Sequence, residues 1–172
     1  MALTVEDGTG LAAADSLGSV ADAVTYLTAR YGAANLFVAE TDATKKDEWM
    51  RQGADFIQAL YCQSVTGQRK TTTQAYLWPR LYATRTDGPD YCEDVPSDSV
   101  PLAFQYAQFE AANLLAAGSP LIPTTGSSRR LKKLDVLEFE YDDTEREQSF
   151  PQIERLVKAY IPNSGLLKVG RA

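Results

Sequence analysis

The chemistry open to this chain is bounded first by histidine, of which its 172 residues contain none. Without an imidazole there is no Ser-His-Asp triad, no Cys-His pair and no His-ligated zinc. The thiols are Cys62 and Cys92. Two cysteines cannot by themselves build a structural zinc site, and in a cytosolic chain they are expected as free thiols. Carboxylates remain. Asp87, Asp90, Glu93 and Asp94 carry the oxygen chemistry that suits a hard cation, but their spacing is not that of an EF-hand, and a solvated loop is the expectation. Glu138 and Glu140 are a pair of the kind that works on sugars. With no aromatic cleft beside them they read as one charged strand face. Arg129, Arg130, Lys132 and Lys133 form the basic cluster of the sequence, near Phe139 and Tyr141. Cations with aromatics close by can track and stack single-stranded nucleic acid. The preferred reading is a solvated run or the basic half of a subunit interface. The chain is expected not to be an enzyme, with no catalytic, cofactor or metal residues.

These groups need a scaffold, and the stretch around which the chain is expected to organise is Gln74-Ala-Tyr-Leu-Trp-Pro-Arg80. Proline fixes its own φ and pushes the preceding residue toward extended geometry. Trp78, one of two tryptophans, is therefore expected on an extended segment as a core anchor for surrounding helices. Base stacking by Trp78 is the rival. Gln74, Leu77, Trp78, Pro79 and Arg80 are the candidate structural anchor.

The totals fit one domain of ordinary globular composition, 44% hydrophobic and 23% charged. The net charge of −6 argues against gripping nucleic acid through the overall field, because phosphate binding relies on clustered Lys and Arg. No long uncharged apolar run suggests a membrane span. The opening Met-Ala-Leu-Thr-Val-Glu-Asp-Gly lacks the basic and apolar regions of a signal peptide, so a cytoplasmic protein is expected.

Along the chain, Leu3 and Val5 begin a short alternation that ends in a glycine turn, Glu6-Asp-Gly-Thr-Gly10. Ser19-Val-Ala-Asp22 resembles a capping box and predicts a helix from Val20 to Tyr31, with Val20, Val24, Leu27 and Tyr31 on one stripe and Gly32 as its stop. Residues 33–43 read as a connector whose Leu36, Phe37 and Val38 tuck onto the core. Thr44-Lys-Lys-Asp47 opens a second predicted helix, Lys45 to Gln63, with Trp49, Gly53, Phe56, Ile57 and Leu60 inward. Gly53 costs about 1 kcal/mol relative to Ala, which suits close approach of a neighbouring helix. Residues 64–98 are predicted to be a long non-helical stretch, a length that is usually functional. A third helix starts at Val100-Pro101 and runs to Ala117, before Gly118. Its apolar side is Ala103, Tyr106, Ala107, Ala111, Leu114 and Leu115. Leu134 to Tyr141 carry a period-two strand signal, and a fourth helix runs from Phe150 to Tyr160. The tail Leu166, Leu167, Lys168, Val169, Gly170, Arg171 and Ala172 follows a helix breaker. It either folds back or docks on another chain.

The fold class expected from this is mainly α: a small helical bundle with a short β element, a long loop and an extended C-terminal arm. Residues 1–161 form the domain and 162–172 the arm.

Glu6-Asp-Gly-Thr-Gly10, the Ser19 helix, the second helix with Gly67 beyond it, Gln74 with Leu77-Trp-Pro-Arg80, the helix after Pro101 and Glu138-Phe-Glu-Tyr141 occur in an order that resembles one group. The chain resembles the tailed-phage head–tail connector (portal adaptor) family, which carries the label DnaT-like single-stranded-DNA-binding. It departs from that pattern at Leu17-Gly18, where relatives tend to have an aromatic before the first helix. The resemblance implies small helical subunits in a ring below the phage portal protein. The ring continues the DNA channel and meets the next connector, stopper or tail protein. It also implies C-terminal segments, here Leu166–Ala172, that reach into the portal. The expected protein is thus a structural virion component, assembled in the host cytoplasm and placed at the head–tail interface. It forms a homo-oligomeric ring of about twelve copies that passes double-stranded DNA without sequence-specific binding and touches no membrane. The alternatives are a single-stranded-DNA-binding replication protein and a metal-dependent enzyme built on the Asp87–Asp94 loop.

Overall fold

A computed structural model describes residues 3–87, 92–121 and 150–162. The expected strand at Leu134–Tyr141, the carboxylates Asp90, Glu138 and Glu140, the basic cluster Arg129, Arg130, Lys132 and Lys133, and the arm Leu166–Ala172 lie outside them.

Helix α1 (Val20–Tyr31) has the predicted bounds. The Ser19 hydroxyl accepts from the Asp22 amide at 3.1 Å and donates to the Asp22 carboxylate at 2.6 Å, and Gly32 closes the helix at φ 82°. Just before the helix, Gly18 is closely packed. A Cβ on Gly18 would lie 2.7 Å from the Phe109 ring. The expected connector contains a short helix, α2 (Leu36–Ala39), because Asn35 accepts from the Phe37 and Val38 amides at 3.0 and 3.3 Å. It buries Phe37 but leaves Leu36 exposed. Helix α3 (Ala43–Tyr61) starts two residues before the expected Lys45. Asp42, not Thr44, caps it, accepting from the Thr44 amide at 2.9 Å. Gly53, Phe56 and Ile57 face inward as expected. Leu60 is instead exposed, and Met50 is buried in addition.

The long non-helical stretch holds the paired strands among the described residues. Strands β1 (Gln68–Arg69) and β2 (Arg80–Leu81) pair antiparallel, as do β3 (Thr84–Arg85) and β4 (Glu93–Asp94). Helix α4 (Leu102–Ala116) follows, with Pro101 at its N-cap, so that it starts just after the expected Val100-Pro101. Helix α5 (Pro151–Val157) continues into a 3-10 turn, Lys158–Tyr160. The protein is mainly α with a small β element.

Helix α4 is the central element and packs on α1, α2, α3 and α5. It therefore has no consistently polar face. Phe104, Ala107, Gln108, Phe109, Glu110, Ala111 and Ala112 are all buried, which is what a helix enclosed by others requires. Its closest neighbour is α3, where Gly53 permits the approach. A Cβ there would lie 2.9 Å from the Gln108 carbonyl oxygen. Two apolar clusters flank α4. One joins Trp78, Phe104, Ile57, Ile153 and Tyr160, and the other joins Leu27, Phe37, Met50 and Phe109. Among the described residues no helix is long and apolar enough to cross a membrane.

Candidate functional site

The Gln74–Arg80 element is built inward. Trp78 is fully buried, with its ring centroid 5.2 Å from Phe104 on α4 and 6.0 Å, edge-on, from Tyr160. Phe104 and Tyr160 close the triangle at 5.3 Å. The Trp78–Pro79 peptide is cis. Gln74 uses its whole amide to hold the turn. Its Oε1 accepts from the Thr71 amide at 2.9 Å, and its Nε2 donates to the Tyr76 and Pro79 carbonyls at 2.8 and 3.0 Å.

Arg80 is 6% exposed and donates to four backbone carbonyls: Thr66 at 2.8 Å, Leu77 at 3.3 Å, Val65 at 3.2 Å and Gly67 at 2.7 Å. Carbonyl dipoles replace its hydration. Burial, reinforced by the nearby Arg69, holds its pKa below the usual guanidinium range. The guanidinium ties residues 65–67 to residues 77–80. Trp78 thus lies inside the core, and a base cannot stack on an indole enclosed this way.

The anchor fixes what comes next. Tyr82 follows β2 at φ 56°, the one described non-glycine residue with positive φ, and its side chain is 80% exposed. An aromatic residue in the left-handed region is uncommon and costs energy. The corner is held from beneath by Gly67, at φ 74°, where a Cβ would lie 2.4 Å from the Leu81 carbonyl oxygen and 2.7 Å from the Ala83 amide nitrogen. It is held from the side by the Val95 amide, which donates to the Ala83 carbonyl at 2.8 Å. Nothing in the spacing of the sequence marks Tyr82.

The described carboxylates of the acidic loop do not form a cluster of their own. Glu93 pairs with Arg85 at 2.7 Å, Asp87 lies 3.6 Å from the same guanidinium, and Asp94 is on β4. Among the described residues no group of three or more Cys, Asp or Glu side chains could hold a metal ion. Cys62 is half-buried and Cys92 exposed, each a free thiol.

Three buried polar side chains organise the rest. The Glu6 carboxylate accepts from the Gly8, Gly10 and Leu11 amides at 3.0, 2.9 and 2.8 Å, so the predicted glycine turn wraps its own acid. Lys70 and Thr71 then pin that turn through the Gly8 and Gly10 carbonyls. Gln108 accepts from the Leu17 and Gly18 amides at 2.9 and 3.1 Å and donates to Ser16 Oγ and the Met50 carbonyl at 2.7 and 2.8 Å. Glu110, 1% exposed, accepts from the Tyr26 hydroxyl at 3.1 Å and the Tyr31 hydroxyl at 2.9 Å. Burial, with the carboxylate beside it, pushes the Tyr26 hydroxyl far above the usual phenol range. Gln108 and Glu110 stand as polar residues inside an otherwise apolar helix, the signal in the sequence that marks them.

The described cations are largely spent internally. Arg51 pairs with Asp15 at 2.8 Å, Arg85 with Glu93 and Lys45 with Glu40 at 3.5 Å. Arg30 stacks 4.5 Å over the Tyr26 ring. Arg69 and Lys46 donate to the Gln74 and Val38 carbonyls.

One family model, described as "Putative DnaT-like ssDNA binding protein", matches residues 1–172. No curated protein matches the chain, and no solved structure does.

Proposed function

The chain belongs, over its whole length, to the family described as putative DnaT-like ssDNA binding proteins, and from that premise we propose that it is a structural subunit of a phage head–tail connector. Its work in this reading is mechanical. Copies form a ring under the portal, the ring continues the DNA channel, and the arm Leu166–Ala172 engages the portal.

One observation carries the proposal. The Trp-Pro-Arg element spends both its indole and its guanidinium on the chain's own core. Those are the two chemistries with which a protein holds single-stranded DNA, stacking and phosphate contact. Here they build a rigid loop on a helical body instead. The net charge of −6 fits a lining past which DNA slides, since counterion release needs clustered cations. Many arms acting together give firm attachment from individually weak contacts.

The family's description favours a second reading, single-stranded-DNA binding, for which Arg129, Arg130, Lys132 and Lys133 are the available cations. Mixing the purified chain with its cognate portal protein and weighing the products tests the first reading. A ring-sized complex is expected, and deletion of Leu166–Ala172 should abolish it while leaving the circular dichroism unchanged. Absence of any complex with the full chain overturns the connector reading. Titration with an oligonucleotide at two salt concentrations tests the second, and tight binding that weakens steeply with salt would establish it.

A further inference from the structure

Tyr82 is the most exposed of the large apolar side chains among the described residues, and its backbone is held in a conformation that tyrosine disfavours. Strain of this kind persists where the surroundings over-determine it, and it concentrates at functional positions. Here Gly67 below and Val95 beside fix the corner, so the ring is carried on stiff backbone. Tyrosine on a rigid mount is a favoured contact anchor, because it offers large amphipathic area at low entropic cost.

The same chain carries a receptor of matching size. A surface pocket of about 200 Å3 is lined by Val95, Pro96, Pro101 and Tyr160, with Arg85, Glu93 and Asp94 as charged groups and Ser99 in its wall. It is smaller than the usual small-molecule site and has room for one side chain. Its chemistry suits a phenol. Proline and valine flank the ring, Tyr160 offers an aromatic contact, the face of the Arg85 guanidinium is open to a ring while its edge is held by Glu93 at 2.7 Å, and the carboxylates of Glu93 and Asp94 have acceptor capacity for the hydroxyl. Tyr82 is not among the groups that line it on its own chain.

We propose that Tyr82 of one copy seats in the Arg85–Glu93–Tyr160 pocket of a second copy, as the anchor of the contact between subunits. This rests on the reading that copies of the chain assemble with one another. A residue that meets a pocket elsewhere on an identical chain makes a head-to-tail contact, which gives a ring where the rotation between copies closes and an open filament where it does not.

The test uses the full chain, a knobless variant Tyr82→Ala and a filled-pocket variant Ser99→Trp. Both substitutions are at exposed positions. In sedimentation at rising concentration the wild type should self-associate, and each variant should do so about tenfold more weakly or worse, as for loss of an interface hot spot. Circular dichroism should be unchanged in both. An equimolar mixture of the two variants should associate more tightly than either alone, because one supplies the tyrosine and the other the open pocket. A Tyr82→Ala chain that associates like the wild type overturns this contact. A mixture no tighter than its components does the same, and so does a wild type that stays monomeric throughout. The portal-mixing experiment is read separately, so a failed contact and a failed connector role are told apart.

Discussion

Arg80 donates from Nη2 to the Gly67 carbonyl at 2.7 Å, and that bond joins the buried anchor to the floor under the Tyr82 corner. The guanidinium holds the 65–67 backbone in place, and Gly67 lies so close beneath residues 81–83 that it has no room for a methyl group. The exposed aromatic is thus coupled to the core through two residues, one buried cation and one glycine. Gly67→Ala should cost at least about 2 kcal/mol, from the clash with the Leu81 carbonyl and the positive φ together. Urea unfolding checks this. A loss below about 0.5 kcal/mol, the range of neutral surface changes, would mean that the corner is not clamped from below.

Removing the cation itself should be as damaging. Arg80→Met keeps the stem but leaves the carbonyls of Val65, Thr66, Leu77 and Gly67 without the donor they share. Each buried acceptor without a partner costs about 1–3 kcal/mol where water cannot replace the donor. The loss expected in chemical denaturation is about 3 kcal/mol, and Arg80→Lys should rescue less than half of it, because one ammonium cannot span four divergent acceptors.

The corner also predicts a gain. Tyr82→Asn places at φ 56° a residue that tolerates the left-handed region. Because the Tyr82 side chain is mostly exposed, little packing is lost. The isolated subunit should be more stable by up to about 1 kcal/mol, read as a higher urea midpoint. A stabilised subunit that assembles poorly is the signature of strain kept for contact. A destabilised one would show that the ring packs usefully on its own chain.

How much of this was legible depended on range. Helix α1 was readable to the residue because Ser19, Asp22 and Gly32 are local signals that act within one turn. The role of Trp78 was readable because an indole beside proline is best sheltered in a core. Helix α4 was found but misjudged. Its stripe of alanines and leucines omitted Phe104 and Phe109, since a helix enclosed by four others has no solvent side for periodicity to report. The cap of α3 fell to Asp42 over Thr44, two capping residues so close in sequence that spacing does not decide between them. The Tyr82 corner was invisible, because a positive φ is imposed by contacts between residues distant in sequence: Gly67 beneath residues 81–83, and the Val95 amide on the Ala83 carbonyl. The basic cluster and the C-terminal arm, both legible as composition, lie outside the described residues.

The approach of α3 to α4 sets two opposing terms at Gly53. Alanine there gains about 1 kcal/mol of helix propensity, but its Cβ would stand 2.9 Å from the Gln108 carbonyl oxygen and 3.3 Å from the Ala112 amide nitrogen. Backbone on both sides cannot yield as a flexible side chain would. Separating the helices also disturbs Gln108, whose amide bridges Ser16, Leu17, Gly18 and Met50. The clash should win, for a net loss of about 1–2 kcal/mol. A Gly53→Ala protein more stable than the wild type would mean that the two helices separate freely.

Alkaline pH should unfold the protein through its tyrosines. Burial raises the hydroxyls of Tyr26, Tyr61 and Tyr76, and each has a carboxylate close by that adds to the effect: Glu110, Glu154 and Asp55 respectively. Tyr61 is pushed up to about 12. A phenol whose folded pKa exceeds its unfolded value is protonated in both states below about pH 10, so its contribution is complete there. Above that pH the unfolded chain releases the proton and the folded chain does not, so stability falls with rising pH. The urea midpoint should be flat from about pH 7 to 9 and drop from about pH 10 upward, with tyrosinate absorbance appearing in two steps. The buried hydroxyls of Tyr26, Tyr61 and Tyr76 should ionise only as the fold is lost. Tyr26→Phe should shallow the drop, since it removes one titrating hydroxyl. It should also lower stability at neutral pH, because Glu110 loses a donor. A single tyrosine titration with no fall in the urea midpoint would place these hydroxyls in water and refute their burial around α4.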